Sequence, residues 1–232
     1  MIGTAISRSL KQIDDPVFRK VILWGVLGAA AVFIALFSGL AALLPMIPAT
    51  GIGWLDSAIG WIAGLSLPLL AVLSLWLLFP AVATTVMSFF LEDIVDAVEA
   101  RHYPEQAGGR ASPLVEQVWL ALKMMAVIIV VNLLALPAYL ALLFTGFGAP
   151  LLYLAINAYL LGREYFEVVA LRHGNAAGAR SMRRGMRDQA FLGGLAIAGL
   201  FMVPIANLLA PVLGAAIMVH LFHGGRRRRG WA

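Results

Sequence analysis

Residues 79–105 read FPAVATTVMSFFLEDIVDAVEARHYPE, and the join in the middle of this stretch decides the class of the fold. Its first half continues an uncharged run that begins at Ser57. Its second half places Glu92, Asp93, Asp96 and Glu99 close together. On a helix Glu92, Asp96 and Glu99 fall at i, i+4 and i+7 and share one face, with Ile94, Val95 and Val98 on the other. Such a pattern describes an apolar span that leaves the membrane and runs on as an amphipathic helix until Pro104 and Gly108-Gly109-Arg110. The carboxylates themselves admit three readings: a cation or proton site, a catalytic pair, or a solvated helical face with Arg101 nearby. The last is the simplest, because no histidine or third ligand accompanies them at a known metal spacing.

Composition agrees with a membrane origin. The chain is 62% hydrophobic and 12% charged, with a mean hydropathy of +0.91, whereas a soluble domain carries roughly a quarter charged residues. It contains no cysteine, so disulfides, thiolate metal sites and cysteine nucleophiles are excluded. Val21 to Leu55 is uncharged, far longer than the apolar core of about 7–15 residues in a secretory signal. The N-terminus therefore reads as part of the mature protein.

Charge falls into blocks. Residues 1–20, 92–123, 163–188 and the arginines 226–229 hold all 17 Lys and Arg, and Asp56 is the acidic residue outside them. Between the blocks lie four uncharged runs, 21–55, 57–91, 124–162 and 189–219. A spanning helix needs about 20 apolar residues. The first run supplies Val21 to Leu44, started by Asp15 as a cap and Pro16 as the first helical residue and ended by the Pro/Gly turn of 45–53. The second supplies a span within 57–91, with Pro68 and Pro80 as kink positions. The third and fourth runs are broken, by Pro137 with TGFGAP (145–150) and by VPIAN (203–207). Each then leaves halves of about 12–14 residues, or about 20 Å of helix. Each of these runs is either one kinked span or a hairpin that dips in and returns. Hairpins keep every Lys and Arg on the cytoplasmic side, as the positive-inside rule prefers.

Four stretches, in register along nearly the whole chain, resemble the CysZ-type sulfate permeases and the related etoposide-induced-protein family. They are SFFLEDIVDAVEARHYP (88–104), DDPVFRKVIL (14–23), LLYLAINAYLLGREYFE (151–167) and MVPIANLLAPVLGAAIMVH (202–220). The resemblance implies an all-α membrane protein of one domain. Its expected parts are two long transmembrane helices (about 16–44 and 58–91, the second extended to 103), two re-entrant, hemi-penetrating helical hairpins (about 113–172 and 189–222), short interfacial helices and a basic tail (223–232). It further implies a homo-oligomer in the bacterial inner membrane, one whose protomers can insert in opposite orientations; the basic asymmetry of this chain instead favours a single orientation with both termini cytoplasmic. The implied function is anion transport, of sulfate first, without covalent chemistry, cofactor or metal. A membrane scaffold or lipid-organising protein on the same fold is the alternative.

An anion site needs NH donors and arginine forks to replace lost water. The family's sulfate-contacting basic pair falls on Arg19 and Lys20, beside a helix N-terminus that itself favours anions. Lys at the second position departs from the family pattern and lacks a bidentate fork. Both residues also suit plain anchoring at the headgroup level. Arg180, Arg183, Arg184 and Arg187 would share one face of a helix, forming either an anion funnel or an interfacial helix on anionic lipid. Arg163 stands at the exit of the first hairpin, beside Glu164 and Glu167, as a gate or an interfacial ion pair. Asn207 is a candidate cap at the second hairpin's turn, and Asn132 and Asn157 suit hydrogen bonds to neighbouring helices. Gly60-x-x-x-Gly64 hints at a close helix contact. His220 and His223 share a helix face but have no third metal ligand in sequence. No catalytic motif is present, and no nucleic-acid-binding module accompanies the basic charge.

Overall fold

A computed structural model describes residues 2–43, 50–109 and 114–231. Leu44, residues 45–49 of the expected turn, and Arg110 to Pro113 at the start of the expected first hairpin lie outside the described residues. The described chain is helical: α1 (Ile2–Lys11), α2 (Pro16–Leu43), α3 (Gly53–Ser88), α4 (Leu91–His102), α5 (Leu114–Leu142), α6 (Gly148–Arg172), α7 (Ala176–Gly185), α8 (Arg187–Met202) and α9 (Ala206–Arg228). Single 3₁₀ turns lie at Pro104–Gln106 and Leu143–Thr145.

Local chemistry explains the ends. α2 opens on Pro16, and Asp15 Oδ1 accepts the amide of Val17 at 3.0 Å, as the sequence reading expects. Asn175 caps α7 by accepting the amide of Gly178 at 2.8 Å. The join between α3 and α4 is a bend of 60° at Phe89–Phe90, so the charged segment turns away from the apolar one. Ile205 links α8 to α9 at φ 70°. A β-branched residue is strained there, and the flanking Pro204 and Ala206 leave the turn no glycine.

Four described segments are long and apolar enough to cross a membrane: α2, residues 53–76 of α3, residues 122–145, and α9. Two of them correct the sequence reading. Pro137 does not end a helix; it lies inside α5, whose 29 residues span about 43 Å. α9 likewise runs 23 residues through Pro211, so neither segment is too short to cross. Apolar helices tolerate an internal proline where neighbouring turns and helices absorb the lost hydrogen bond. Pro68 and Pro80 are carried inside α3 in the same way.

α9 is the hub. It packs against α1, α2, α3, α4, α6 and α8, and every residue from Ala210 to His223 is buried. A helix apolar on all sides demands a coat on all sides. Phe18, Met87, Ile94, Phe166 and Ile197, all without exposed surface, belong to the core that surrounds it. By contrast, the spans at 53–76 and 122–145 bury none of their most apolar windows, and Gly60 and Gly64 face open space. Their bare Leu, Ile, Val and Trp side chains are suited to lipid.

The closest approach in the bundle joins α6 to α8. A Cβ at Gly194 would come within 1.8 Å of the carbonyl oxygen of Ala158, and one at Gly162 within 2.2 Å of that of Ala190. Backbone meets backbone here, so no side chain can swing aside to make room. Gly194→Val is expected to destabilise the protein by about 3 kcal/mol or more, at the upper end of overpacking costs. Gly199→Val, in open space, is expected to cost much less. Thermal unfolding in detergent checks both.

Candidate functional site

The charged ends of α1, α4, α6, α7 and α9 carry the polar chemistry of the molecule. α4 carries Glu92, Asp93, Asp96, Glu99 and Arg101 and lies beyond the apolar segment that precedes it. Its carboxylate face is solvated only in part: Asp93 and Asp96 are exposed and Glu92 is half-buried, whereas Glu99, beside the apolar face of Ile94, Val95 and Val98, is enclosed. Arg172, buried at the end of α6, meets Asp96 through Nη2 and Glu92 through Nη1 at 3.8 Å. Glu99 is fully buried. Its Oε1 sits 2.8 Å from His173 Nε2 and 2.9 Å from His223 Nε2. Burial works to raise the Glu99 carboxyl, but these hydrogen bonds outweigh it and hold the group down at about 2. Burial also raises the Asp96 carboxyl, an effect that Arg172 opposes.

Two aromatic side chains brace the histidines. The Tyr103 ring stacks on His223 at 4.3 Å between centroids, and its hydroxyl hydrogen-bonds with His220 Nδ1 at 2.9 Å. Phe222 stacks on His173 at 5.3 Å. His220 and Tyr103 also wall a half-open cavity of about 290 Å³, whose lining includes Arg8 of α1 and Arg227 and Arg228 of α9. The Nε2 of His220 is itself buried without a hydrogen-bond partner. Three arginines around one cavity make it a place where an anion gains charge-assisted hydrogen bonds. Sequence reading missed this constellation. Arg8 and the arginine tail stand at opposite ends of the chain, and α1 reaches α9 through Ala5, Ile217 and Leu221. The one usable signal was the run of arginines itself, which reads most simply as an anchor.

The residues expected from sequence are dispersed. Arg19 and Lys20 are exposed on the first turn of α2, where Asp15 already takes one of the free amides. Arg163 and Arg183 do meet. Glu167 Oε1 lies 3.2 Å from Arg163 Nε and 3.3 Å from Arg183 Nε, so α6 and α7 are joined by one buried carboxylate between two cations. The partner of Arg163 is thus Glu167, one turn on. Arg180, Arg184 and Arg187 are exposed. The expected single face is broken at Met186: Arg180, Arg183 and Arg184 belong to α7, and Arg187 opens α8. Asn207 lies in the first turn of α9, and its side-chain oxygen caps nothing; Oδ1 is buried and unpartnered. Asn132 and Asn157 bond within their own helices, to Ile128 O at 2.9 Å and Tyr153 O at 2.8 Å, and not across to neighbours.

Removing the shared carboxylate strands two cations. Glu167→Ala is expected to destabilise the protein by about 3–5 kcal/mol, the cost of an uncompensated buried charge. Glu167→Ala with Arg163→Met is expected to recover part of that loss. A thermal-melt comparison of the two variants in detergent tests the coupling.

Comparison with known proteins adds the family. No curated protein and no solved structure matches the chain. The family described as sulfate transporter CysZ/etoposide-induced protein 2.4 matches residues 5–211. That stretch runs from α1 through the first turns of α9 and so takes in all four sequence stretches but the last turns of the fourth. The chain belongs to the sulfate transporter CysZ/etoposide-induced protein 2.4 family.

Proposed function

We propose that this protein carries inorganic anions, sulfate foremost, across the bacterial inner membrane by a non-covalent route. The arginine-lined cavity between α1 and α9 is the observation that carries this reading in a chain of this family. A sulfate leaving water needs several donors at once. Arg8, Arg227 and Arg228 offer paired N–H groups. Arg19 and Lys20 are a second anion contact in this proposal, at the α2 terminus. The exposed Arg180, Arg184 and Arg187 raise the local anion concentration at the same charged end of the bundle. α5–α6 and α8–α9 act as hairpins that return to the side they entered, keeping all four basic blocks cytoplasmic. The uncovered spans at 53–76 and 122–145 face lipid and sister copies in a homo-oligomer.

No covalent step is required. The protein lowers the cost of dehydrating a dianion, and the transported species emerges unchanged. Carboxylates near a dianion would oppose this, and Glu92, Asp96 and Glu99 of α4 are engaged by Arg172 and the histidines.

Flux of radiolabelled sulfate into proteoliposomes tests the proposal, with chloride and phosphate as competitors. Saturable uptake is expected. Arg8→Ala combined with Arg227→Ala should lower it by about tenfold or more, since each charged hydrogen bond contributes about 1.5–3 kcal/mol. Arg19→Ala should likewise abolish uptake at low sulfate. Folded, inserted protein with flux no higher than that of empty vesicles would shift the function to a membrane scaffold.

A further inference from the structure

Three helices that are far apart in sequence deliver Glu99, His173 and His223 to one point. The side-chain ligand atoms of the three all lie within 4.8 Å of one another. Glu99 is unexposed and the His223 side chain is 1% exposed. The cluster is therefore an enclosed site at the junction of α4, the end of α6 and α9.

Gln106 Oε1 faces His223 Nδ1, and both imidazoles aim Nε2 at Glu99 Oε1. The other oxygen of the same carboxylate, Oε2, is buried with no hydrogen-bond partner. A doubly protonated His223 would donate to both Gln106 and Glu99, yet Oε2 would stay unsatisfied, and a buried acceptor without a partner costs free energy. A cation held among the three side chains can take that oxygen as well.

We propose that Glu99, His173 and His223 bind a divalent transition-metal ion of the zinc class, which ties α4, α6 and α9 together at the basic end of the bundle. Two imidazoles and one carboxylate are a zinc-type ligand set, whereas calcium and magnesium demand oxygen cages. A metal-bound histidine ordinarily donates its far ring N–H to a carbonyl or carboxylate, which fixes the tautomer. Gln106 stands in that place for His223. The stacked Tyr103 and Phe222 rings hold the two imidazoles in the required planes. Metal–ligand distances of about 2.0–2.2 Å in tetrahedral geometry put the ligand atoms about 3.3 Å apart. The imidazoles therefore step back from the carboxylate by about half an ångström and close on one another. Glu99 Oε2 or a water supplies the fourth position. Because Tyr103 also touches His220, the ion indirectly sets one wall of the arginine-lined cavity. The proposal does not depend on what that cavity carries.

The test uses full-length protein free of any histidine tag, stripped with chelator in detergent and then titrated with Co²⁺ and with Zn²⁺. Expected are intense visible d–d bands of tetrahedral cobalt, their loss on adding zinc, a single bound equivalent by elemental analysis, and a higher melting temperature. Glu99→Gln and His173→Ala should each weaken binding by at least tenfold. Gln106→Ala should weaken it by about tenfold, as loss of a supporting hydrogen bond does. His102→Ala, which leaves all three ligands in place, should bind like wild type. Wild-type protein showing only the weak spectrum of aqueous cobalt and no retained zinc would overturn the proposal and leave a proton as the cation between His223 and Glu99. Unchanged affinity in both Glu99→Gln and His173→Ala would also overturn it. Should those variants misfold, the wild-type cobalt titration decides alone.

Discussion

A carboxylate cut off from water is the constraint around which the polar end of this protein is arranged. The penalty for burying an ion amounts to several kcal/mol unless well-aimed partners compensate. Glu99 is fully enclosed, so α4 has one acceptable rotation, the one that aims it at His173 and His223. The same rotation presents Glu92 and Asp96 to Arg172 and turns Ile94, Val95 and Val98 into the apolar core. Those contacts in turn hold the end of α6 beside α9. The central helix is thus fixed by oil along most of its length and by charge at its end.

Much of this architecture is legible in the order of residues, and the rest is hidden for identifiable reasons. Asp15-Pro16 marks the start of α2 because capping is local. The i, i+4, i+7 spacing of Glu92, Asp96 and Glu99 marks one helix face for the same reason. Their partners are another matter. Arg172, His173 and His223 come from segments far along the chain, and nothing in local spacing says that a charged face meets them instead of water. Proline misleads in the opposite direction. In a soluble helix Pro137 would be a stop, but in an apolar one the chain has no water with which to satisfy an unwound turn, and the helix runs on. Arg187 shows the limit of face counting, because a helix break one residue earlier moves it to another element.

The distribution of burial also bears on function. α9, the most enclosed helix, carries two of the four histidines and most of the arginine tail, whereas the spans at 53–76 and 122–145 are almost bare. The two histidines sit where packing is dense and water is scarce, which strengthens each electrostatic contact, whereas Arg227 and Arg228 lie on the exposed last turn. The family match covers α1 to the start of α9. The last turns of α9, with Arg227 and Arg228, lie beyond it, although they line the cavity together with Arg8.

The glycine contact between α6 and α8 constrains how the molecule can move. Where two backbones touch with no side chains between them, there is nothing to re-rotamer and no slack for sliding; the two helices travel as one body. Any change of shape must then be borne by joints elsewhere. The kinked junction at Phe89–Phe90, the short connector at 143–147 and the strained turn at Ile205 are the places where a small change in backbone torsion would swing a whole helix. On this geometry, a change of shape is a matter of hinges around a stiff keel.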